Sequence, residues 1–230
     1  MEETKQLIRN RAGEKRSLVM STINVNWVVE ASRNPSFRQA ILNSDIVVLD
    51  GKPLLWLSKR KGHPIKEVVA GSSLIQELLV DKNTKNPLTI FLFGGEGDIA
   101  QQAMDRINSI HGGFRAVGAL NPGYGSVEKM CSDEIIDAIN QTEPDILLVA
   151  LGAKKGTQWI EHNRQRLNAG VVSHLGATIN FMAGTVQRAP FLMRKLSMEW
   201  VWRIFQEPKL FSRYAGDGLI LLRLLIGRSY

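Results

Sequence analysis

The sequence predicts an α/β fold in which a mostly parallel sheet is flanked by helices and followed by a helical C-terminal appendage. Short apolar runs of strand length alternate along the chain with segments of helical periodicity. The runs are continuously hydrophobic, which is typical of parallel strands that are covered on both faces. The six predicted strands are residues 18–23, 46–49, 88–93, 114–120, 146–151 and 171–175.

Polar residues or glycines stand at the carboxyl end of every predicted strand. Ligands of α/β proteins bind at the edge of the sheet where the carboxyl ends of parallel strands meet. We therefore expect the six strand ends to line one cleft. In chain order they are Thr22 with Asn24, Asp50 with Gly51, Gly94 with Gly95, residues 121–124, Gly152, and Gly176.

The strand pattern stops after Gly184, and the rest of the chain is helical and basic. Residues 191–205 have a helical pattern that ends near Pro208, and a second helical stretch is predicted from about Gly216. Residues 185–230 contain eight Lys and Arg against three Asp and Glu, so they carry +5 of the formal net charge of +7. The sequence therefore predicts two units, a main domain at 1–184 and an appendage at 185–230.

The appendage combines aromatic side chains with cations. Trp200 and Trp202 lie among Arg203, Arg213 and further basic residues. This composition is typical of a protein that works on an anionic lipid at a membrane surface. Packing of the aromatic rings onto the main domain is an alternative, and so is stacking of single-stranded nucleic acid on them.

Composition and residue spacing argue against several other classes. The single cysteine, Cys131, cannot form an internal disulfide, and the polar residues 1–16 lack the apolar run of a secretory signal. The longest apolar stretch is far shorter than the roughly 20 residues that span a bilayer, so we expect a cytoplasmic protein with peripheral membrane contact. The four histidines show no ligand spacing and the chain has no Asp-x-Asp pair, so no metal site is predicted.

Residues 95–100 read Gly-Glu-Gly-Asp-Ile-Ala, which satisfies the G-x-G-x-x-A pattern between a strand and a helix. That pattern places a pyrophosphate on the helix N-terminus. The next strand ends at Leu120 and Asn121 without the carboxylate that holds the ribose in nicotinamide sites. The motif therefore favours a nucleotide diphosphate over nicotinamide, with a simple tight turn as the alternative.

Asp50 ends the second predicted strand, and Gly51 permits an abrupt exit into a helix near Pro53. A partly desolvated carboxylate in this position has a raised pKa and suits general-base catalysis. The alternative is a helix cap, since Asp before Gly-x-Pro is also a helix-start signal. Lys155, just after Gly152, can reach a diphosphate across the cleft, although lysines at helix starts are commonly solvated.

Together these residues resemble the TagA/WecG/CpsF-type bacterial glycosyltransferases, glycosyltransferase family 26, over about residues 22–213. The matching positions are Thr22-x-Asn24, Ser44-Asp45 with Asp50-Gly51, Val69-Ala70-Gly71-Ser72, Phe93-Gly94-Gly95 with Gly97, Gly123-Tyr124, Pro144-Asp145-Ile146-Leu147 with Leu151-Gly152, Gly184 with Arg188-Ala189-Pro190, and Glu199-Trp200 through Arg203 to Glu207-Pro208.

The resemblance implies a Rossmann-like fold and an inverting transfer of a sugar from a UDP-sugar to a polyprenyl-diphosphate-linked saccharide, in bacterial cell-surface or exopolysaccharide synthesis. It implies Asp50 as general base with Thr22 and Asn24 beside it. The residues that we expect to bind the UDP-sugar are Gly71, Gly94, Gly95, Gly97, Gly123, Tyr124, Gly152 and Lys155. Those expected to meet the lipid diphosphate and the membrane are Arg188, Arg203, Arg213, Trp200 and Trp202.

The resemblance also implies the partners and the location. We expect no cofactor, with a divalent metal ion left open, and association with the anionic inner face of the plasma membrane. Nucleic acid is not an expected partner, and homo-oligomers are compatible with the family. The competing interpretation is a non-catalytic module that binds nucleotides or nucleic acid through the basic C-terminal surface.

One segment departs from the family pattern. The usual Gly-x-Pro-Lys-Gln-Glu after the fifth strand reads Gly-Ala-Lys-Lys-Gly-Thr at residues 152–157, so Lys155 is kept and the glutamine is lost. The lost glutamine is associated in relatives with donor or catalytic contacts. A preference for an N-acetylmannosamine-type donor is therefore not carried over, and glucose or another hexose fits equally well. Gln158 is a candidate substitute for the lost side chain.

Overall fold

A computed structural model describes residues 1–14, 16–81, 85–187, 189–190, 192–193, 199–208 and 210–226. Within these residues the centre of the molecule is a six-stranded sheet with strand order β2-β1-β6-β5-β3-β4, and every neighbouring pair is parallel. The predicted α/β class is confirmed. The strands are β1 (Leu18–Ile23), β2 (Ile46–Leu49), β3 (Leu88–Gly94), β4 (Phe114–Leu120), β5 (Ile146–Ala150) and β6 (Val171–His174).

Helices connect these strands and cover both faces of the sheet. They are α1 (Glu2–Asn10), α2 (Val25–Arg33), α3 (Pro35–Leu42), α4 (Lys52–Arg60), α5 (Gly71–Leu79), α6 (Ile99–Ile110), α7 (Asp133–Asn140), α8 (Ala153–Asn163), α9 (Thr178–Ala183), α10 (Glu199–Gln206) and α11 (Leu210–Ile226), with a 3₁₀ turn at Glu128–Met130.

The continuous hydrophobicity of the strands matches their burial on both faces. On β3, Ile90 and Leu92 belong to the apolar core on one side of the sheet, whereas Phe91 and Phe93 belong to the core on the other side. All four side chains are at most 3% exposed. Because successive side chains of a strand point to opposite faces, a strand between two helical layers presents both sets of side chains to an apolar core.

The strand order creates a crevice at the carboxyl edge between β3 and β5. From β3 the chain continues to β4 on one side, whereas from β5 it continues to β6 on the other side. Connections that leave in opposite directions separate the loops above the two strands, and such a switch point is where α/β sheets bind ligands. Gly94 and Gly152 stand at the two sides of this crevice.

The two C-terminal helices contact each other, and α11 also packs against α2 and α4. Asp217 on α11 is buried, and its Oδ1 accepts a hydrogen bond of 3.5 Å from Nδ2 of Asn26 on α2. The predicted start of the last helix near Gly216 is wrong, because α11 begins at Leu210, directly after the turn at Pro208. The division into domains at residue 184 stays a prediction. None of the helices in the described ranges combines the length and apolarity that crossing a membrane requires.

Candidate active site

Asp50 lies one residue beyond β2, at the carboxyl edge of the sheet. Its backbone N–H donates to the carbonyl of Ile23 at 2.7 Å, which continues the pairing of β2 with β1. Gly51 has φ 108° and forms the N-cap of α4, and no side chain caps that helix. Asp50 therefore does not cap α4, the helix that follows it. Its part-buried carboxylate instead accepts a hydrogen bond from the backbone N–H of Gly71.

The environment of Asp50 disfavours the ionised carboxylate. Burial, reinforced by the negative charge of Glu199, raises the pKa of Asp50 to about 6, although Arg203 and the hydrogen bond from Gly71 act in the opposite direction. Glu199 and Arg203 stand four residues apart on α10, so both lie on the same face of that helix. Helix α10 thus carries two opposite charges that both act on the pKa of Asp50. A carboxylate with a pKa near neutral suits proton abstraction.

Thr22 and Asn24, the two residues predicted beside Asp50, have different surroundings. Thr22 is buried at the end of β1, and among the described residues its Oγ1 has no hydrogen-bond partner. A Cβ on Gly71 would lie 3.5 Å from that oxygen, so Thr22 and Gly71 are neighbours. Asn24 instead caps α2, because its Oδ1 accepts the backbone N–H of Trp27 at 3.3 Å. The hydroxyl of Thr22 is therefore buried beside Gly71 without a partner among the described residues, whereas the side-chain oxygen of Asn24 is used by the cap of α2.

The glycines after β3 shape the crevice, but not every one of their N–H groups is free to bind a ligand. Gly94 has φ 98°, and a Cβ there would lie 2.8 Å from the carbonyl oxygen of Ala150. The N–H of Gly95 donates to that same oxygen at 2.9 Å, so it is not available to a phosphate. Gly97, with φ 59° and open space around its Cα, is the exposed end of this turn before α6.

A second loop, residues 121–125 after β4, is tied to the glycine turn. Nδ2 of Asn121 donates to the carbonyl of Gly97 at 2.6 Å, and its Oδ1 accepts the N–H of Gly123 at 2.9 Å. Tyr124 is 86% exposed and its hydroxyl donates to Glu96 at 3.4 Å. Nζ of Lys155 donates to the carbonyl of Gly125 at 2.8 Å. Lys155 therefore connects α8 to this loop across the mouth of the crevice.

An open cleft of about 570 Å³ lies beside Lys155. Gly152, with φ 81°, begins the turn into α8, and the next residues place Lys154, Lys155 and Gln158 on the cleft wall. Residues 126–128 and Leu151 form the remainder of the lining. Two lysines and an amide at the start of a helix make this cleft suitable for an anionic ligand.

Helix α10 is anchored to the segment that precedes it. The guanidinium of Arg203 lies 5.7 Å from the ring centroid of Phe181. Nε1 of Trp202 and Nε2 of Gln206 each donate to the carbonyl of Gln187 at 3.1 Å. Trp200 is about half exposed, 6.1 Å from the ring of Tyr214. The indole of Trp202 thus has a structural contact, whereas Trp200 keeps a large exposed surface.

The amino-acid sequence matches the model of the Glycosyl transferase WecG/TagA/CpsF family over residues 1–229. The chain belongs to this family. Since the match extends over almost the whole sequence, it includes both the sheet and the C-terminal helices, and the predicted family resemblance is confirmed. This protein is a glycosyltransferase.

Three relatives of the glycosyltransferase share the name N-acetylglucosaminyldiphosphoundecaprenol N-acetyl-beta-D-mannosaminyltransferase. The protein of Bacillus spizizenii is 27% identical over 84% of this chain and 72% of its own length. The protein of Bacillus subtilis strain 168 is 26% identical over 87% of this chain and 76% of its own length. The protein of Staphylococcus aureus strain MW2 is 24% identical over 90% of this chain and 80% of its own length.

The glycosyltransferase brings its predicted site residues together in two groups. One contains Thr22, Asp50 and Gly71, with Arg203 directed towards them. The other contains the glycines and loops around the cleft, namely Gly94, Gly95, Gly97, Gly123, Tyr124, Gly152 and Lys155. Arg188 and the side chain of Arg213 lie outside the described residues. Among the described residues, no three His, Cys, Asp or Glu side chains are grouped so that they could hold a metal ion.

Glu199 is the main site residue that the sequence analysis of the glycosyltransferase missed. It was part of the family motif but had no predicted role, whereas the structure directs its charge at Asp50. Its spacing of four residues from Arg203 was the one signal that could have identified it, because residues at that spacing share a helix face.

Proposed function

We propose that this glycosyltransferase moves a hexose or N-acetylhexosamine-type sugar from a UDP-sugar to a polyprenyl-diphosphate-linked saccharide, with inversion at the anomeric carbon. Asp50 is the general base. The observation that carries the proposal is its carboxylate, which lies at a strand end, does not cap the adjacent helix α4 and has a pKa raised to about 6. The names of the three relatives, each of which describes transfer to N-acetylglucosaminyldiphosphoundecaprenol, support this class of acceptor.

The reaction is a single displacement. Asp50 takes the proton of an acceptor hydroxyl while the hydroxyl oxygen forms a bond to the anomeric carbon of the donor sugar. The bond from that carbon to the diphosphate oxygen breaks, and UDP leaves with the electron pair. Attack from the face opposite UDP inverts the anomeric centre. The ionised base must be present at the working pH, and a pKa of about 6 allows this at neutral pH.

The donor diphosphate fits the cleft beside Lys155. The ends of β2 and β5 are separated by three strand spacings, about 14 Å along the sheet edge. An extended nucleotide sugar can bridge this separation, with its diphosphate near Lys155 and its sugar near Thr22 and Asp50. Charge developing on the leaving diphosphate would be met by Lys155, and a preorganised donor of this kind contributes about 3 kcal/mol.

The acceptor approaches Asp50 from the side of α10. Arg203 lies on the α10 face directed at Asp50, so it can contact an acceptor diphosphate while the acceptor sugar meets the base. The exposed aromatic rings of Trp200 and Phe205 on the same helix suit the interface of an anionic membrane. The enzyme is expected to act as a peripheral protein on the inner face of the plasma membrane.

The donor sugar is proposed as a class, a hexose or an N-acetylhexosamine-type sugar. The relatives are named for an N-acetylmannosaminyl donor. This chain, however, has Gly156 where the family pattern has glutamine, and Gln158 on the cleft wall is the nearest available amide. Gln158 sits two positions further along α8, about half a turn of helix away, so it presents a different direction to a donor sugar.

A transfer assay tests the proposal directly. Radiolabelled UDP-sugars, including glucose and N-acetylated hexosamines, are offered with a short-chain polyprenyl-diphosphate saccharide as acceptor. Transfer of label to the lipid by the wild type, but not after Asp50→Asn, is expected. Absence of transfer with every donor, together with a mobility shift of single-stranded RNA, would instead favour a nucleic-acid-binding module. Deleting residues 191–230 is expected to abolish both transfer and binding to anionic vesicles.

A further inference from the structure

Helix α4, in the main domain, has one face that is exposed and basic around a tryptophan. Lys52, Trp56, Lys59 and His63 are all exposed, and their spacing of four, three and four residues places them along one side of a helix and its continuation. Trp56 is 58% exposed.

The chain segment around Trp56 carries formal charge of a single sign, although Lys66 at its end pairs with Glu3. Residues 52–66 contain five Lys and Arg together with His63 and no Asp or Glu. Lys59 is exposed on the same face as Trp56. A surface of this kind complements an anionic partner, and an aromatic ring flanked by lysines is the composition of interfacial membrane helices.

Helix α11, which lies next to α4, has an exposed apolar side. The two helices pack against each other, with Asp217 on the buried side of α11. The outward side of α11 carries Phe211, Leu219 and Leu222, which are 64%, 53% and 51% exposed. These residues are spaced eight and three apart and so form one stripe on the helix. An exposed apolar stripe and a basic, tryptophan-bearing face thus stand on two helices that contact each other.

We propose that the outer faces of α4 and α11 together form a docking surface for an anionic lipid bilayer, with Trp56 and Lys59 as its main-domain contribution. The choice of a bilayer rests on the proposed function, since the acceptor is held in one. It also rests on shape and charge, because two adjacent helices with apolar side chains among cations fit the headgroup region of a membrane.

This surface has a consequence for the geometry of catalysis. Helix α4 begins two residues after Asp50. Docking through α4 therefore fixes the position of Asp50 relative to the headgroups, and an acceptor can reach the base without its polyprenyl chain leaving the membrane. Docking through the appendage alone would hold the enzyme at the bilayer without fixing the position of Asp50 relative to the headgroups.

Vesicle flotation of the full chain tests the docking surface. Trp56→Ala and Lys59→Glu are compared with Leu42→Ala and Arg38→Glu, a matched exposed pair on α3. With vesicles of phosphatidylcholine and phosphatidylglycerol, we expect the first two variants to lower the bound-to-free ratio by about fivefold to tenfold, since a basic residue near an anionic surface contributes about 1 kcal/mol, equivalent to about fivefold. The α3 variants should bind like the wild type. Thermal unfolding with and without UDP verifies that each variant is folded.

The same variants separate this inference from the proposed function. With a short-chain, water-soluble acceptor, Trp56→Ala and Lys59→Glu should keep wild-type turnover, because docking is then unnecessary. Unchanged vesicle binding in both variants, or equal wild-type binding to vesicles of phosphatidylcholine alone, would overturn the docking surface. If the wild type transfers no sugar but loses vesicle binding on Trp56→Ala, the proposed activity fails and the docking surface stands.

Discussion

The backbone N–H of Gly71 donates a hydrogen bond to the carboxylate of Asp50. Gly71 is the first residue of α5, so its N–H has no partner within the helix and is free to bind Asp50. A helix N-terminus favours the ionised form of a carboxylate. The pKa of Asp50 is nevertheless raised to about 6, so burial and the charge of Glu199 outweigh that contact. The site therefore holds a base that is destabilised in its charged form.

Replacing Asp50 with asparagine should remove catalysis and stabilise the protein. An amide keeps an oxygen that can accept the Gly71 N–H but cannot take a proton, so turnover should fall by orders of magnitude while UDP still raises the melting temperature. The exposed Asp137 on α7 offers the control Asp137→Asn, which should leave turnover unchanged. Near wild-type turnover in Asp50→Asn would remove the carboxylate from the mechanism.

The stability gain of Asp50→Asn follows from the direction of the pKa shift. A carboxyl whose pKa rises from 3.8 to about 6 on folding binds its proton more tightly in the folded state, so stability increases as pH falls through this range. Above pH 6 the buried charge costs up to about 3 kcal/mol. Urea unfolding at pH 8 should show the variant more stable by about 1–3 kcal/mol, and the gain should vanish near pH 4. Equal stability at pH 8 would contradict the buried charge.

Glu199→Gln should shift the pH dependence of turnover to lower pH. The charge of Glu199 raises the pKa of Asp50, so its removal lets Asp50 ionise at lower pH and moves the acidic limb of the kcat profile down. Arg203→Gln should move the limb up, since Arg203 lowers that pKa. Glu207→Gln, on an exposed residue beyond α10, is the control. Profiles measured with a short-chain acceptor that coincide for Glu199→Gln and wild type would exclude the coupling.

Lys155→Gln should weaken donor binding more than Lys154→Gln does. Lys155 donates to the carbonyl of Gly125 and faces the cleft, so its loss removes a cation and releases the loop after β4. Lys154 also lines the cleft, but its Nζ lies 3.8 Å from Oε1 of Glu30, whose negative charge partly neutralises the lysine. We expect KM for the UDP-sugar to rise about tenfold for Lys155→Gln, the loss of one charge-assisted hydrogen bond. An equal change in the two variants would place the diphosphate elsewhere.

The strand ends were predictable because the strands are short runs of apolar residues in the sequence. The runs before Asp50 and Gly152 contain only apolar residues, so these two residues stand out at the ends of their runs. The same reasoning could not separate Thr22 from Asn24. Both follow one strand, and only the backbone direction after Ile23 decides that Asn24 turns away to cap α2.

The convergence of α10 on Asp50 was not predictable from the sequence pattern. Periodicity defines the faces of a helix but not the direction in which the chain brings that helix back to the sheet. The predicted start of α11 was wrong for a local reason. Gly216 and Gly218 weaken helical propensity, so the helical residues 210–215 before them looked like a loop. Packing against α2 and α4 stabilises those residues as a helix.

Two glycine-to-alanine substitutions in helices should change stability in opposite directions. Gly156 on α8 is buried against His174 of β6, and a Cβ there would overlap Cδ2 of the imidazole. His174 is itself buried, and that burial lowers its pKa to about 4. Overpacking of this kind costs about 1–3 kcal/mol.

Gly218 on α11 has open space where an alanine would place its Cβ, with no atom within 4 Å, so Gly218→Ala should gain about 0.5–1 kcal/mol of helix stability. Urea unfolding at one pH gives both values relative to the wild type. The sign difference isolates packing from helix propensity, because both substitutions add the same methyl group to a helix. If Gly156→Ala proved as stable as Gly218→Ala, the contact of α8 with β6 would have to be looser than the structure shows. This contact would then not hold the start of α8, from Gly152 to Lys155, in a fixed position.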